Sequence, residues 1–121
     1  MRLRDVMLIT KAQAFTSNID PECEIRNGFA ADLMSDVLCY DVAHGLMLSG
    51  LASHQMVRTA EMADIVAVLL VRDKKPPLEI IELAEQLGIA LLGTDKIMFE
   101  TCGRLFAAGL PACHRRTEHD R

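Results

Sequence analysis

Ile65-Val-Ala-Val-Leu-Leu-Val71, then Pro76-Pro-Leu-Glu-Ile-Ile-Glu-Leu-Ala-Glu-Gln-Leu-Gly88, then Ile89-Ala-Leu-Leu92: these consecutive blocks decide the fold. Seven apolar residues in a row, mostly β-branched or Leu, read as a strand buried on both faces, and the run is far too short to span a membrane. The charged loop Arg72–Lys75 follows. Pro76 and Pro77 then set up a helix start, because proline is tolerated at the first helical position. From Leu78 to Leu87, Ile80, Leu83, Ala84 and Leu87 repeat at helical spacing, with Glu79, Glu82 and Glu85 on the other side. Gly88 stands where a left-handed C-terminal residue belongs. A second apolar strand follows at once. Such a strand–helix–strand unit should have parallel strands and a right-handed crossover.

Working backward, Gly45–Ser49 reads as another strand ending at Gly50, and Ser53 as the N-cap of a helix over His54–Ala63 with an apolar stripe of Met56, Val57, Ala60 and Ala63. Gly28–Ala31 reads as a short buried strand after a turn at Asn27-Gly28, and Asp32 as the cap of the segment Leu33–Tyr40. Leu3–Ile9 fits a short helix, Ala12–Thr16 an edge strand, and Ser17–Asn27 a loop around Asp20-Pro21.

Working forward, Gly93-Thr94-Asp95 is a strand-to-helix turn with cap candidates. The last helix is expected over Asp95–Ala108, with Met98, Cys102, Leu105 and Phe106 toward the core and Lys96, Glu100 and Arg104 as a solvated stripe. Gly109 ends it. Residues 1–110 are therefore expected to form one α/β domain, a layered fold with a mostly parallel sheet flanked by helices, and 111–121 a polar, disordered tail.

Composition narrows the function. The chain has 121 residues, half of them apolar, enough for one core. A net charge of −4 with interspersed signs, few aromatics and no Trp argues against nucleic acid as a partner. The apolar run Val6–Ile9 is too short for a secretory leader, so a cytoplasmic setting without membrane contact is expected. The four cysteines form no C-x-x-C pair and read as free thiols, with Cys39 and Cys102 as small core fillers.

The seven glycines build neither G-x-x-x-x-G-K-[ST] nor G-x-G-x-x-G, and no H-E-x-x-H or G-x-S-x-G occurs. No catalytic residue, resident cofactor or metal is therefore assigned. Cys113, His114 and His119 match no ordinary zinc spacing, and Asp32 with Asp36 lacks a phosphate cradle for Mg²⁺. In an open α/β sheet, ligands sit at the C-terminal ends of the strands. The polar residues there are Asp32, Ser35 and Asp36, then Ser53, His54 and Gln55, then Arg72–Lys75, then Thr94 and Asp95. Asp32, Ser35, Asp36, Ser53, His54, Gln55, Thr94 and Asp95 are the candidate ligand-binding set. The plainer alternative is that Asp32, Ser53 and Thr94 cap helices, His54 lies on a first-turn surface and the basic loop is simply solvated.

Gly28-Phe-Ala-Ala-Asp-Leu-Met-Ser-Asp-Val-Leu38, Ser53-His-Gln55, and Gly93-Thr94 through Phe99-Glu100, Gly103 and Gly109 together resemble the DRTGG domain family, over nearly the whole chain to Leu110. The stretch that should carry the family's name is Glu24-Ile-Arg-Asn-Gly28, which keeps the acid and the final glycine but not the paired glycines. The resemblance implies a fold similar to the N-terminal domain of bacterial HPr kinase/phosphorylase, no catalytic activity, and a regulatory or dimer-forming role. Relatives lie beside CBS-domain pairs in pyrophosphatases and in phosphotransacetylases, and small stand-alone members accompany iron-only hydrogenase genes. The expectation is a regulatory or assembly homodimer, with Met34, Leu38, Met47 and Met62 as patch candidates. An adenine-nucleotide sensor is the alternative, a protein partner is allowed for, and a phosphoryl-transfer enzyme is the least favoured reading.

Overall fold

The computed structural model describes residues 1–116. Apolar runs from the middle of the chain become the central parallel strands: β4 (Leu46–Ser49), β5 (Ala67–Leu70) and β6 (Ala90–Gly93), every residue of which is buried. Their side chains alternate between two cores. Met47, Val68, Leu70, Ile89 and Leu91 enter one core, and Leu46, Leu48, Ala67, Leu69, Ala90 and Leu92 the other. Neither face of these strands meets water, so the pattern is continuous rather than alternating.

One face is covered by α2 (Met34–Val37), α3 (His54–Met62) and α4 (Leu78–Leu87), which bury Met34, Val37, Met56, Val57, Ala60, Ile80, Leu83 and Ala84. The other is covered by α1 (Leu3–Thr10) and α5 (Met98–Ala107), through Leu3, Val6 and Leu105. The result is a three-layer α/β domain with one five-stranded sheet, order β1-β6-β5-β4-β2. Here β1 (Gln13–Ala14) pairs antiparallel with β6, and β2 (Gly28–Ala30) runs parallel to β4 at the opposite edge. Gly88, at φ +73°, ends α4 in the left-handed conformation its sequence position required. Ser53 caps α3, its hydroxyl accepting the Met56 N–H at 3.1 Å.

Several local expectations are corrected. β2 is a half-buried edge strand, not a buried one. Asn27-Gly28 makes no turn, since neither residue has positive φ. Gly28 answers to packing instead: a Cβ there would meet Leu110 Cδ2 at 3.0 Å. Asp32 does not cap α2, whose N-cap is Leu33, and the helix is only four residues long. The backbone from Cys39 to Asp41 is claimed by tertiary pairing: β3 (Tyr40–Asp41) pairs antiparallel with β7 (His114–Arg115), and Arg116 N–H donates to the Cys39 carbonyl. The stretch expected as a free tail from Pro111 is thus placed through Arg116, with Cys113 N–H also bonded to Gly28 O.

The last helix starts at Met98, not Asp95. The carbonyls of Thr94 and Lys96 accept the N–H groups of Asp73 and Arg72, so that backbone is tied to the β5 exit and not free to coil. Lys96 therefore lies outside the helix, while Glu100 and Arg104 form the expected i,i+4 ion pair at 2.8 Å. Phe106 is 70% exposed, one residue and about 100° further round α5 than buried Leu105. Met98 and Cys102 are half-buried, and the core position between them is taken by Thr101, whose hydroxyl turns back to Ile97 O. Cys39 is exposed rather than a core filler.

Candidate functional site

The C-terminal ends of β2, β4, β5 and β6 lie along one edge of the sheet, at strand spacings of about 4.8 Å. The predicted residues therefore spread over roughly 14 Å from the β2 exit to the β6 exit. The chain brings some of them together and not others.

At the β2/β4 end, Asp32 Oδ1 accepts the Gly50 N–H at 2.7 Å and the Ser49 hydroxyl at 3.1 Å. Ser49 is fully buried and its hydroxyl also accepts the Leu51 N–H, so the carboxylate holds the β4–α3 turn in shape. Gly50 forms a floor between two charges. A Cβ placed on it would stand 3.3 Å from a guanidinium nitrogen of Arg72 and 3.6 Å from both Asp32 oxygens. Asp32, Gly50 and Arg72 thus make one polar corner, with a carboxylate and a guanidinium close to the buried Gly50. Ser35, Asp36, His54 and Gln55 are exposed around it and make no side-chain hydrogen bond with other described residues. Ser53 is occupied by its cap bond.

At the β6 end, Thr94 is 4% exposed and donates to Thr10 O at 2.8 Å, so its hydroxyl is spent inside the fold. Asp95 is exposed and pairs with Lys96 at 3.5 Å. Sequence reasoning missed Ser49 and Gly50, for which the signal was only a strand ending in glycine. It also missed Lys11, which reaches this edge solely because β1 pairs with β6.

Three of the four thiols, those of Cys23, Cys102 and Cys113, are poor nucleophiles. Burial pushes Cys102 up. Burial also raises Cys23, with help from Asp20 and Glu24, and burial raises Cys113 against a lowering backbone hydrogen bond and with a contribution from Asp41. Thiols with raised pKa stay protonated near neutrality and attack slowly. Among the described residues, no three of His, Cys, Asp and Glu are grouped to hold a metal ion. His114 lies exposed in β7 beside half-buried Cys113, and His119 lies outside the described residues.

Fold and rim together define a mixed α/β domain whose polar residues collect at the parallel strand ends. No family model and no curated protein matches the chain. Among solved structures it is similar to the CBS and DRTGG domains of the regulatory region of a Clostridium perfringens pyrophosphatase, complexed with the activator diadenosine tetraphosphate. The TM-score is 0.71 at 19% identity, over 91% of this chain and 47% of that one, so the chain spans about half the length of that structure. The fold is DRTGG-like. No helix among the described residues is long and apolar enough to cross a membrane.

Proposed function

We propose that this chain is a non-catalytic regulatory or assembly domain that forms a homodimer. The observation that carries this reading is the outward side of α5. Phe99 and Phe106 are 87% and 70% exposed, and Ile97, just ahead of the helix, is 57% exposed. Phe99, Gly103 and Phe106 fall at i, i+4 and i+7, one apolar stripe flanking the buried one. Phe106 also borders an apolar groove of about 260 Å³ between α5 and β2, lined by Phe29, Leu48, Cys102, Leu105 and Leu110. Half of the four phenylalanines thus face water on one helix, and contiguous exposed apolar surface of this kind marks an interaction site.

A second copy suits the patch. A two-fold contact places the same residues on both sides in reverse order, so Glu100 of one copy can face Arg104 of the other beside the aromatic stripe. The sequence-based patch candidates divide: Leu38 and Met62 are exposed at 65% and 77%, whereas Met34 and Met47 are buried in the core. The regulatory origin of the structural neighbour supports the non-catalytic part of the reading. The family resemblance adds an iron-only hydrogenase system as the setting, in which the domain would meet a protein partner in the cytoplasm.

Sedimentation equilibrium tests the assembly. A dimer that Phe99→Ser with Phe106→Ser converts to monomer, without loss of folded signal, supports it. A protein that stays monomeric at high concentration and binds no partner overturns it.

A second reading, an adenine-nucleotide sensor, is favoured by the Asp32–Gly50–Arg72 corner and by the dinucleotide bound to the neighbour's regulatory region. Arg72 would meet a phosphate and the unengaged Asp32 oxygen a ribose hydroxyl. Calorimetric titration with ATP, ADP and AMP decides it: one saturable site weakened by Arg72→Ala supports the sensor, and no heat with any of the three removes it.

A further inference from the structure

We propose that the crevice at the exits of β5 and β6 is a binding site for a phosphate-bearing small anion, with Lys11, Lys75 and Lys96 as its cationic ligands. It goes beyond the dimer reading, and it differs from the nucleotide reading in place, since neither Asp32, Gly50 nor Arg72 lines this crevice.

Topology marks the place first. After β5 the chain crosses to α4, whose buried residues join one core, and after β6 it crosses to α5, whose buried Leu105 joins the other. Two neighbouring parallel strands whose continuations leave to opposite faces open a cleft between them, which is where open α/β sheets bind ligands. A crevice of about 450 Å³ lies there, lined by Lys11, Gln13, Asp73, Lys75, Asp95 and Lys96.

Charge marks it second. Asp73 pairs with Lys75 at 3.0 Å and Asp95 with Lys96 at 3.5 Å. Lys11 has no acidic partner among the described residues, so the lining holds three cations against two anions, on a chain of net charge −4. Lys96 stands out among them. Its side chain is only 13% exposed, and its ion-pair partner Asp95 is 75% exposed. A phosphate oxygen in the crevice would give this ammonium a second anionic partner.

Backbone marks it third. Among the described residues five non-glycine residues have left-handed φ; Lys11 and Asp73 (+54° and +57°) line this crevice, and Arg72 (+59°) directly precedes Asp73. Arg72 and Asp73 are held by tertiary bonds, Arg72 N–H to Lys96 O at 2.8 Å and Asp73 N–H to Thr94 O at 2.9 Å, whereas Lys11 is the left-handed C-cap of α1. Residues kept in sparsely populated conformations by their surroundings cluster at ligand clamps. The Lys75 ammonium stands 6.0 Å from the centroid of the Phe15 ring.

The test is titration of the folded protein with inorganic pyrophosphate, ATP and adenosine, followed by calorimetry at low ionic strength. Pyrophosphate should bind at one saturable site. Lys96→Met and the exposed-site variant Lys11→Met should each weaken it at least tenfold, while Lys74→Met, a cation on the same loop outside the lining, should leave it within twofold. Lys11→Met keeps the test open if Lys96→Met fails to fold. No saturable binding of pyrophosphate by the wild type, or equal losses in all three variants, overturns the proposal. Binding of ATP that survives Lys11→Met and Lys96→Met overturns this site while leaving the adenine reading intact. Pyrophosphate binding as tight as ATP, with adenosine inert, supports this site and counts against recognition of the base.

Discussion

Asp32 and Gly50, eighteen residues apart, are joined by a 2.7 Å hydrogen bond from the Gly50 N–H to the Asp32 carboxylate. That bond ties the exit of the edge strand β2 to the exit of β4. Beneath it lies the fully buried Ser49, whose hydroxyl uses the same oxygen. Asp32→Ala removes the acceptor that both bonds share and leaves the Gly50 donor without a protein partner. A charge-assisted bond of this kind contributes about 1.5–3 kcal/mol, and the exposure of Asp32 to water trims the loss to about 1–2 kcal/mol. Urea denaturation should show a lower midpoint with an unchanged m-value. A midpoint equal to that of the wild type would mean that water replaces the carboxylate fully.

Ser53 gives a cleaner case, since its hydroxyl does one thing: it accepts the Met56 N–H at the start of α3. Ser53→Ala should cost about 1 kcal/mol, and Ser53→Asp should recover nearly all of it, because aspartate accepts the same N–H. Thermal unfolding of the pair measures this. If aspartate is no better than alanine, the Ser53 effect comes from the turn before the helix and not from capping.

These two residues also show where a sequence can be read and where it cannot. Ser53 is a cap both by pattern and in the fold. Asp32, with the same credentials, turned to a neighbouring strand instead, and Thr94 turned to the end of α1, where its hydroxyl donates to Thr10 O. Short polar side chains satisfy either a helix end or a loop, and local spacing cannot choose between them. The strands β4, β5 and β6 were legible because burial on both faces forces an uninterrupted apolar run. The two-residue strands β3 and β7 carry no period to detect, so the attachment of residues 111–116 was invisible. Phe106 was assigned inward because apolar residues at helical spacing are taken as one stripe, whereas α5 carries two. Lys11 and Lys96 meet only through the β1–β6 pairing, a contact spanning most of the chain.

Gly93 lies where that pairing is made, opposite Gln13. A Cβ on Gly93 would run into the ring of Phe15. Gly93→Ala should therefore push the ring aside and loosen β1, at about 1–3 kcal/mol, the usual range for overpacking. Hydrogen exchange should quicken first at Phe15, whose N–H donates to Leu91 O at 2.8 Å. Gly93→Ala combined with Phe15→Leu should recover part of the loss. Additive losses in the double variant would show that the ring is not what the methyl meets.

The cysteines predict an order of reaction and a pH trend. Cys39 is exposed, whereas Cys23, Cys102 and Cys113 are half-buried with thiols pushed above the usual value of 9.0. With a disulfide reagent at pH 8, one thiol should react fast, and Cys39→Ser should remove that phase. The other three should follow slowly, at a rate set by local opening. The sign of the stability effect follows from linkage. Below the unfolded pKa both states hold the thiol protons, so the three raised groups contribute their full share. As pH climbs past about 9, the unfolded chain gives up protons that the folded chain still holds, and the stability falls with pH until the folded thiols ionise too. Urea midpoints measured from pH 7 to 10 should therefore decline above pH 9. Replacing Cys23, Cys102 and Cys113 with alanine or serine should flatten that decline, whatever the substitutions cost at pH 7. A slope unchanged in the triple variant would place the alkaline loss on other groups.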